Sequence, residues 1–482
     1  MLEKTTEDFV AIPDRLTAVC VKGLFGIFDH NIPLNVNSRV TIVHGSNGVG
    51  KTIVLQMIRA LLTGSSEILL RVPYEDFSLT FQSGDSIKVT PVEATEGVSK
   101  SLQYSVVLGG RTYGVSAFGE PDTAVIRQAA RHFDDSWKYL GSSQWRDDRD
   151  GEVATTEELC NRHDVPDSLR AKLARPLDPL LEKISRKCRV RLIGTDRLMS
   201  HSVDRSVSAE LKGEDPNLQG ASRLGSSIQM MISRTMLSRS HEQKSSRTIE
   251  VYARELHRRV RQVLTDYGLL TERLDRSLVQ RLVTGQAAKT PEELVALFEQ
   301  IGAKRRLLTE LGLLTVAEDL VQKDATGSEI LHLVSNSTPV FSLYVHDMQQ
   351  KLALFDEIQS KLEILRGRTD QRFQFKKLKI DSERGFYFKS DSGSEVAAAD
   401  LSSGEQHEMI LLYELLFLAK EGDLVLIDEP EISLHVEWQM EFLEDLREIL
   451  RASNIDVLMA THSAAIARGA NDELVSLGAR RA

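Results

Sequence analysis

Short apolar runs separated by polar turns predict strands over the first 115 residues. Leu16 to Val21 is rich in apolar residues, Ile32 to Leu34 is a candidate partner strand, and Arg39 to His44 is a β-branched run that ends at a glycine-rich loop. Between Lys51 and Leu62 the apolar residues recur at three- and four-residue spacing, which predicts a helix. This part of the chain therefore predicts the order strand, loop, helix, and residues 77–115 predict further strands.

The hydrophobic pattern from about 205 to 370 is mostly helical. The clearest predicted helices are Ile249–Leu269, Pro291–Leu313 and Tyr344–Leu365. A proline one residue after Thr290 is typical of a helix start. The apolar heptads are too short to predict an extended coiled-coil arm.

The final section of the chain returns to alternating strands and helices. Its predicted elements, in order, are a hairpin of Phe373–Ile380 and Gly385–Phe388, a helix Gln406–Lys420, a strand Leu424–Ile427, a helix Glu437–Arg451 and a strand Ile455–Ala460. An α/β fold with mixed sheets is therefore predicted, split by a long and mainly helical insertion. The predicted domains are 1–200 and 371–482, the two halves of the α/β head, and 201–370, the insertion.

Composition narrows the classes of protein that fit this pattern. The 482 residues include 60 Lys and Arg against 70 Asp and Glu, a net charge of −10, which argues against a protein that mainly coats DNA. Cys20, Cys160 and Cys188 are far apart and form no CxxC pair, so neither a disulfide framework nor a zinc site is indicated. The N-terminus lacks the apolar stretch of a signal peptide, and no long apolar run occurs, so we expect a cytoplasmic protein without a membrane span.

The loop that follows His44 reads GSNGVGKT and fits the pattern G-x-x-x-x-G-K-[ST]. In such a loop, backbone N–H groups surround phosphates at the start of a helix, the lysine reaches the β- and γ-phosphates, and the hydroxyl binds Mg²⁺. The alternative is a tight glycine turn with an exposed lysine. The predicted nucleotide-binding residues, with Lys51 also assigned to catalysis and Thr52 to the metal, are Gly45, Ser46, Asn47, Gly48, Val49, Gly50, Lys51 and Thr52.

Two carboxylates follow the predicted buried strand in the segment LVLIDE. Ligands of open α/β sheets bind at the carboxyl ends of the strands, where Asp428 and Glu429 lie. We therefore predict that Asp428 holds Mg²⁺ and that Glu429 is the general base that polarises the attacking water. An acidic pair after an apolar strand is more often structural when it occurs alone, so this interpretation depends on the glycine-rich loop.

The segment LSSGEQ precedes a predicted helix. Ser402 and Gly404 offer a hydroxyl and backbone N–H groups to an anion at that helix N-terminus. The plainer alternative is an ordinary N-cap, with Ser402 or Ser403 capping the helix and Glu405 nearby.

In this order, the segments LSSGEQ, LVLIDEPEISLH and ATHS resemble the motifs of the ABC ATPase superfamily, and the chain is most similar to its SMC-, RecF- and OLD-like branch. The resemblance covers roughly residues 15–115 and 370–480. It implies an ABC-type P-loop ATPase head that uses ATP and Mg²⁺ and hydrolyses ATP to ADP and phosphate. It also implies a homodimer or higher homo-oligomer, with active sites that form where two copies meet.

The resemblance assigns the segment that starts at Leu401 to the signature loop, which caps the γ-phosphate bound on the other protomer. The residues assigned to this role in trans are Ser402, Ser403, Gly404 and Glu405. Ser403 stands where a second glycine is usual, and Glu405 stands where transporters often have glutamine.

Three further assignments rest on the same resemblance. Ser433 and His435 match a loop that crosses the dimer interface, and His462 matches the switch histidine that senses the γ-phosphate and is assigned to catalysis. Asp196, in RLIGTDRL, stands where related ATPases have a glutamine that senses Mg²⁺ and water. Either Asp196 acts at the metal or this stretch is aligned wrongly.

A locally basic region extends from Lys183 to Arg261. It is either a solvated helical face or a contact surface for nucleic acid or an acidic partner protein. The basic residues that stand out are Arg186, Lys187, Arg189, Arg191, Arg254, Arg258, Arg259 and Arg261.

The sequence ends about twenty residues after His462 and contains no HNH cluster, HxH motif or convincing acidic nuclease triad. We therefore expect any nuclease to be a separate effector protein. This organisation resembles the ATPase subunits of two-gene bacterial anti-phage systems of the Septu or PARIS type. The alternatives are a RecF-like DNA repair ATPase and a nucleotide-gated scaffold with little turnover, against which an intact Glu429 argues.

Overall fold

The computed structural model divides the chain into two compact units, one formed by Met1–Arg197 with Ala419–Ala482 and the other by Leu198–Leu418. The second unit thus extends beyond residue 370, the predicted end of the insertion. The structure describes residues 14–92, 101–117, 123–133, 136–141, 144–147, 153–156, 159–160, 163, 165–166, 169, 188–194, 226–284, 289–314, 334–335, 337–432, 434–470 and 472–478.

The first unit contains most of the strands, and helices predominate in the second. The strands are β1 (Leu16–Leu24), β2 (Phe28–Pro33), β3 (Val40–His44), β4 (Asp76–Phe81), β5 (Ser86–Val92), β6 (Ser101–Leu108), β7 (Arg111–Ala117), β8 (Trp137–Gly141), β9 (Gln144–Asp147), β10 (Val153–Thr155), β11 (Val190–Ile193), β12 (Lys376–Asp381), β13 (Gly385–Ser390), β14 (Glu395–Val396), β15 (Leu424–Asp428), β16 (Asp456–Thr461) and β17 (Leu474–Ser476). The α-helices are α1 (Lys51–Thr63), α2 (Glu67–Arg71), α3 (Thr123–His132), α4 (Ser226–Thr284), α5 (Pro291–Glu310), α6 (Thr338–Ala353), α7 (Asp356–Arg372), α8 (Ser403–Tyr413), α9 (Val436–Ser453) and α10 (Ala464–Ala467).

A five-stranded parallel sheet in the order β11-β15-β16-β3-β17 forms the centre of the first unit. Every residue of β15 and β16 is buried, as expected for parallel strands covered on both faces. The register pairs Ala460 of β16 with Asp428 of β15, and Thr461 of β16 with His44 of β3. The carboxyl ends of these three strands therefore lie at the same edge of the sheet.

A six-stranded antiparallel sheet in the order β2-β1-β4-β5-β6-β7 lies in the same unit. Its inward-facing residues, among them Phe77 and Leu79, share one apolar core with α1 and with Leu426 and Leu458 of the parallel sheet. Burial of this apolar surface is the main force that holds the two sheets and α1 together. The helix α1 is thereby fixed against the parallel sheet, with its first residue at the sheet edge.

A smaller cluster in the first unit contains α3 and the three-stranded sheet β10-β9-β8. Phe133 packs edge-to-face on Trp145, with the ring centroids 4.9 Å apart, and the Trp145 indole N–H donates to Thr156 Oγ1 at 2.9 Å. The described residues of this part of the chain, between 123 and 169, thus have a core of their own.

The second unit joins helices α4–α8 to the three-stranded antiparallel sheet β12-β13-β14. The long helix α4 contacts α6, α8 and β13. The predicted hairpin of β12 and β13 is confirmed, with Leu378 opposite Phe388. The predicted fold class, an α/β head with mixed sheets and a mainly helical insertion, is also confirmed.

Three predicted helices differ from those observed. The helix predicted at Ile249–Leu269 is part of α4, whose 59 residues form one continuous helix about 90 Å long at 1.5 Å per residue. Gly268 costs only about 1 kcal/mol inside a helix, so α4 continues through it. The helix predicted at Tyr344–Leu365 is two helices, α6 and α7, which meet at the buried Phe355. The helix predicted at Gln406–Lys420 is α8 followed by a π-helical segment, Glu414–Leu418.

Among the described residues, no helix combines the length and the apolar character that a membrane crossing needs.

Candidate functional site

The glycine-rich loop connects β3 to α1 at the carboxyl edge of the parallel sheet. Gly48 and Gly50 have φ values of +85° and +91°, a region that L-residues with side chains rarely adopt. A Cβ on Gly50 would also lie 2.6 Å from Cδ2 of Leu24. The glycines at these two positions are therefore required by the loop conformation, and at Gly50 by packing as well.

Lys51 is the first residue of α1 and is buried, with 6% of its surface exposed. Its Nζ donates to the carbonyl oxygens of Gly45 at 2.7 Å and Ser46 at 3.1 Å. The ammonium is thus held beside the loop backbone, where it can donate to phosphate oxygens that the loop N–H groups bind. This geometry does not match the alternative of a glycine turn with an exposed lysine.

Thr52 Oγ1 donates a hydrogen bond of 3.1 Å to Asp428 Oδ1. The pKa of Asp428 is raised from an ordinary 3.8 to about 6. Burial is the largest cause, and the nearby Glu429 and Glu431 carboxylates act in the same direction. The Thr52 hydrogen bond and the Lys51 charge act in the opposite direction. A buried carboxylate among other carboxylates is a place where a cation is electrostatically favoured.

The donors at this position suit Mg²⁺, which prefers hard oxygen ligands and keeps most of its coordination for water and substrate phosphates. Thr52 and Asp428 supply one hydroxyl and one carboxylate in hydrogen-bond contact. Within the described part of the chain, no group of three or more His, Cys, Asp and Glu side chains could form a complete metal cage. The residues present therefore fit a metal that binds together with a nucleotide.

Glu429 follows the last residue of β15 and has a φ of +46°, which is unusual for a residue with a side chain. Its backbone N–H donates to Ala460 O at 2.8 Å, so the turn remains attached to β16. The Glu429 side chain is 26% exposed, and its Oε1 lies 3.7 Å from His462 Nδ1. A partly exposed carboxylate at the sheet edge is accessible to both water and nucleotide.

His462 lies one residue beyond β16, and its ring contacts a carboxylate that the sequence analysis did not identify as a site residue. Nδ1 of His462 lies 2.8 Å from Oε1 of Glu431, and the backbone N–H of His462 donates to the same oxygen at 2.8 Å. The signal for Glu431 was present in the sequence, since it is the third carboxylate within DEPE. Its role was missed because the contact depends on the register of β15 and β16.

The loop after Glu429 reaches His435, the N-terminal flanking residue of α9, whose side chain is 67% exposed. Gln439 of α9 holds this loop, because its Nε2 donates to the carbonyl oxygens of Glu431 at 3.3 Å and Leu434 at 3.1 Å. Ser433, the other residue predicted for the interface loop, lies outside the described residues, as does Asp196.

The predicted signature residues lie in the second unit, at the start of α8. Ser402 and Glu405 form a capping box, in which Glu405 Oε2 accepts from Ser402 N at 2.7 Å and Ser402 Oγ accepts from Glu405 N at 3.3 Å. Lys376 Nζ donates to Glu405 Oε2 at 2.7 Å. Ser403 and Gly404 are the first two residues of α8. The N-cap interpretation of LSSGEQ is thus confirmed. The capping box uses the N–H groups of Ser402 and Glu405, so an anion at this helix start would meet the N–H groups of Ser403 and Gly404.

A second residue that the sequence analysis missed is His30 on β2, which is buried. Its Nε2 lies 2.8 Å from the carbonyl oxygen of Val49 in the glycine-rich loop. This contact attaches the loop to the antiparallel sheet. A lone histidine 19 positions before the loop gives no sequence signal for such a contact.

The basic residues divide into two groups in the structure. Arg189 donates to Asp423 Oδ1 at 2.6 Å, and Arg259 forms an ion pair with Glu255 one turn earlier on α4, so both are structural. The other described arginines of α4 in this set are exposed, and they are Arg254, Arg258 and Arg261. Arg186 and Lys187 lie outside the described residues.

Two family models match the chain. One, described as "AAA domain, putative AbiEii toxin, Type IV TA system", matches residues 254–468, and the other, described as "AAA domain", matches residues 23–162. These ranges include most of the candidate site: the glycine-rich loop in one, and Ser402, Asp428, Glu429 and His462 in the other. The curated proteins gave no match.

Similar solved structures include Smc head domains. The head of Pyrococcus furiosus Smc with an extended coiled coil, bound to the C-terminal domain of ScpA, has 11% identity and a TM-score of 0.32 over 96% of this chain and 93% of that chain. An SmcHead bound to the C-winged helix domain of ScpA has 10% identity and a TM-score of 0.32 over 96% and 93%. The Smc head with a coiled coil and joint from Pyrococcus yayanosii has 12% identity and a TM-score of 0.28 over 96% and 95%.

Proposed function

We propose that this chain, which belongs to the ABC/SMC-like class of P-loop ATPases and carries AAA-type domains, binds ATP with Mg²⁺ and hydrolyses it to ADP and phosphate. The observation that carries this proposal is the hydrogen bond between Thr52 and Asp428, beside Lys51 at the edge of the parallel sheet. This arrangement joins a phosphate-binding loop to a carboxylate from a distant part of the sequence, as nucleotide hydrolysis requires.

Each residue at the sheet edge has a separate task in this proposal. The loop N–H groups of residues 45–52 bind the phosphates, and Lys51 exchanges its contacts with loop carbonyls for contacts with the β- and γ-phosphates. Glu429 accepts a proton from the attacking water, and His462 contacts the γ-phosphate. Thr52 and Asp428 would hold Mg²⁺, which would neutralise charge on the phosphates when bound.

The site is completed in trans in this proposal. Ser402, Ser403 and Gly404 of a second copy bring a helix N-terminus to the γ-phosphate, where its N–H groups and dipole favour negative charge. ATP then binds to both protomers of a homodimer, and loss of the γ-phosphate contact on hydrolysis allows the dimer to open. The exposed His435 side chain lies on the loop that we assign to this interface.

The first test compares the parent protein with Glu429→Gln and Lys51→Ala by phosphate release and ATP binding. Glu429→Gln should lose about 10²- to 10⁴-fold in rate, the usual contribution of a general base, while it still binds ATP and accumulates as a dimer. Lys51→Ala should lose ATP binding. Glu444→Gln, which removes an exposed carboxylate on α9, is the matched control and should retain the parent rate. Hydrolysis by Glu429→Gln at the parent rate would make the general-base assignment wrong.

We further propose that the ATPase acts as the sensor and regulator of a separate effector nuclease in bacterial anti-phage defence. Support comes from the family model that matches residues 254–468, whose description names a putative AbiEii toxin and a toxin–antitoxin system. Co-purification of Glu429→Gln with the products of adjacent genes, in ATP and Mg²⁺, tests this role. Recovery of a nuclease on the dimer supports it, and a partner-free ATPase that retains DNA contradicts it.

A RecF-like role in DNA repair is the second candidate, and one surface feature favours it. Arg247, Arg254, Arg258 and Arg261 are exposed and spaced by seven, four and three residues along α4. At 3.6 residues per turn these side chains share one face of the helix, over a length of about 21 Å. A row of guanidinium groups suits the phosphates of a nucleic acid, and this contact would be salt-sensitive and independent of sequence.

A further inference from the structure

Glu431 is buried, with 7% of its surface exposed, and lies three residues after Asp428. Its Oε1 accepts from the backbone N–H of His462 at 2.8 Å and from that of Ser463 at 3.2 Å. The same oxygen lies 2.8 Å from His462 Nδ1. One carboxylate oxygen of Glu431 thus accepts backbone hydrogen bonds at the end of β16 and also contacts the His462 ring.

The backbone contacts fix the position of His462, and the ring contact fixes the direction of its side chain. Nδ1 is the ring nitrogen that faces the Glu431 carboxylate, at 2.8 Å. Nε2 is then the ring nitrogen that faces away from Glu431, at the opposite corner of the imidazole. His462 is therefore presented with a defined ring direction.

Glu431 also connects His462 to the loop that precedes α9. Gln439 Nε2 donates to the backbone carbonyl of Glu431 at 3.3 Å, and Ser463 Oγ donates to Gln439 Oε1 at 2.9 Å. The histidine, the loop and α9 therefore form one hydrogen-bonded network. Oε2 of Glu431 is buried and has no hydrogen-bond partner among the described residues. Because an unpaired buried carboxylate oxygen is costly, the placement of Glu431 is not explained by stability alone.

We infer that Glu431 is a positioning residue for His462, which it holds with Nε2 available for the γ-phosphate. This inference rests on the proposed ATP hydrolysis, because only there does His462 contact the nucleotide. Glu431 itself does not touch the nucleotide in this assignment. Substitution of Glu431 should therefore change kcat only because it displaces His462.

The test combines Glu431→Ala, Glu431→Gln, His462→Ala and the Glu431→Ala/His462→Ala double variant. Glu444→Ala, which removes an exposed carboxylate on α9, is the control. Nitrogen NMR of the histidine rings is recorded in nucleotide-free protein with labelled histidine, and the His462 signal is identified by its loss in His462→Ala. We expect the same His462 ring signal in the parent and in Glu444→Ala, and a shifted signal in Glu431→Ala.

Kinetics then test whether the effect passes through His462. Displacement of a reacting group by about 1 Å costs about 10²-fold, so kcat of Glu431→Ala should fall by that order, to the level of His462→Ala, with KM for ATP little changed. Glu431→Gln still offers an oxygen to the backbone N–H groups of His462 and Ser463 and should retain most of kcat. The double variant should be no slower than His462→Ala alone, since two residues that act in one chain of contacts are not additive.

An unchanged His462 ring signal in Glu431→Ala would overturn the inference, as would a further large loss of kcat on adding Glu431→Ala to His462→Ala. If Glu431→Ala does not fold, Glu431→Gln decides in its place. Any loss of kcat that it causes must disappear in the His462→Ala background, and a persistent loss overturns the inference. If the parent hydrolyses no ATP, the proposed function fails, and the ring signal still decides whether Glu431 fixes His462.

Discussion

The hydroxyl of Thr52 lies 3.1 Å from Oδ1 of Asp428, although 376 positions separate the two residues in the sequence. The parallel sheet brings them together, because β3 leads into the loop before Thr52 and β15 ends at Asp428. The same burial that places Asp428 beside Thr52 raises the pKa of its carboxyl to about 6. This carboxylate is therefore held in a position that suits a cation at the cost of folding stability.

Asp428→Asn should stabilise the nucleotide-free, Mg²⁺-free protein at pH 7 while it abolishes ATP hydrolysis. A group whose pKa is raised on folding contributes stability that is complete below about pH 4 and is lost as the pH rises through about 6. A shift from 3.8 to about 6 corresponds to about 3 kcal/mol at 1.36 kcal/mol per pH unit. Urea unfolding with a chelator, at pH values from 4.5 to 7.5 (about the range of this titration), measures the difference.

The expected result is a difference between parent and Asp428→Asn that grows with pH and approaches zero near the lower limit. Asp391→Asn, at an exposed aspartate, should show no such pH-dependent difference. A variant that is less stable than the parent at pH 7 would contradict this account. It would indicate that the favourable contacts of the ionised carboxylate with Thr52 and Lys51 outweigh the cost of its burial.

Gly50→Ala should disrupt the glycine-rich loop more than Gly48→Ala does. Both positions have φ near +90°, so any side chain is strained there. A Cβ at Gly50 would also lie 2.6 Å from Leu24, whereas a Cβ at Gly48 would meet no atom within 4 Å. We expect both variants to lose about 1–3 kcal/mol from backbone strain, with a further loss in Gly50→Ala alone.

Equilibrium unfolding and ATP binding of the two glycine variants check this expectation. Gly48→Ala is the matched control, because it carries the conformational strain without the contact. Equal losses in both variants would show that Leu24 moves aside freely and that packing against β1 does not shape the loop.

The sequence predicted the elements at the sheet edge because their signals are local. A β-branched run followed by GSNGVGKT predicts β3, the loop and α1, and the fully apolar runs before Asp428 and His462 predict β15 and β16. The resemblance supplied the ABC/SMC-like class, which the two family matches support. The roles assigned to single residues remain predictions.

The contacts that lie behind these residues were not predictable from local patterns. Glu431 meets His462 and His30 meets Val49 only through the registers of the two sheets in the first unit. The length of α4 was underestimated mainly because the serine-rich stretch before Ile249 weakens the helical signal. Leu256 and Val260 are buried and pack the helix in its own unit. Tertiary packing decided these features, and a single sequence does not show it.

Replacement of Arg254, Arg258 and Arg261 by alanine should weaken nucleic-acid binding if the second candidate function is correct. Three lost phosphate contacts lower the slope of log K against log salt concentration by about 3 on duplex DNA. Fluorescence anisotropy with duplex and gapped DNA at several salt concentrations measures this slope. Arg276→Ala is the control, because Arg276 is exposed on the same helix and forms an ion pair with Glu272. Unchanged DNA affinity and slope in the triple variant would identify this row of arginines as a solvated face.

The trans arrangement predicts complementation between two inactive variants, Lys51→Ala and Ser402→Arg. The first lacks the ammonium that binds the phosphates, and the second places a large cation at the start of α8, where the helix dipole already disfavours positive charge. Each should be inactive alone, because every site of either homodimer contains one defect.

A one-to-one mixture of these variants should regain activity. Half of the dimers are heterodimers on random assembly, and one of the two sites in each combines an intact Lys51 with an intact Ser402 from the other protomer. Phosphate release should therefore reach about a quarter of the parent rate if the two sites work independently. A mixture of Lys51→Ala with Asp428→Asn is the control, because both residues act in the same half-site. Each site of this control heterodimer contains one of the two defects in either model, so the control mixture should remain inactive. If the mixture of Lys51→Ala with Ser402→Arg also remained inactive, the residues of each site would lie on a single protomer.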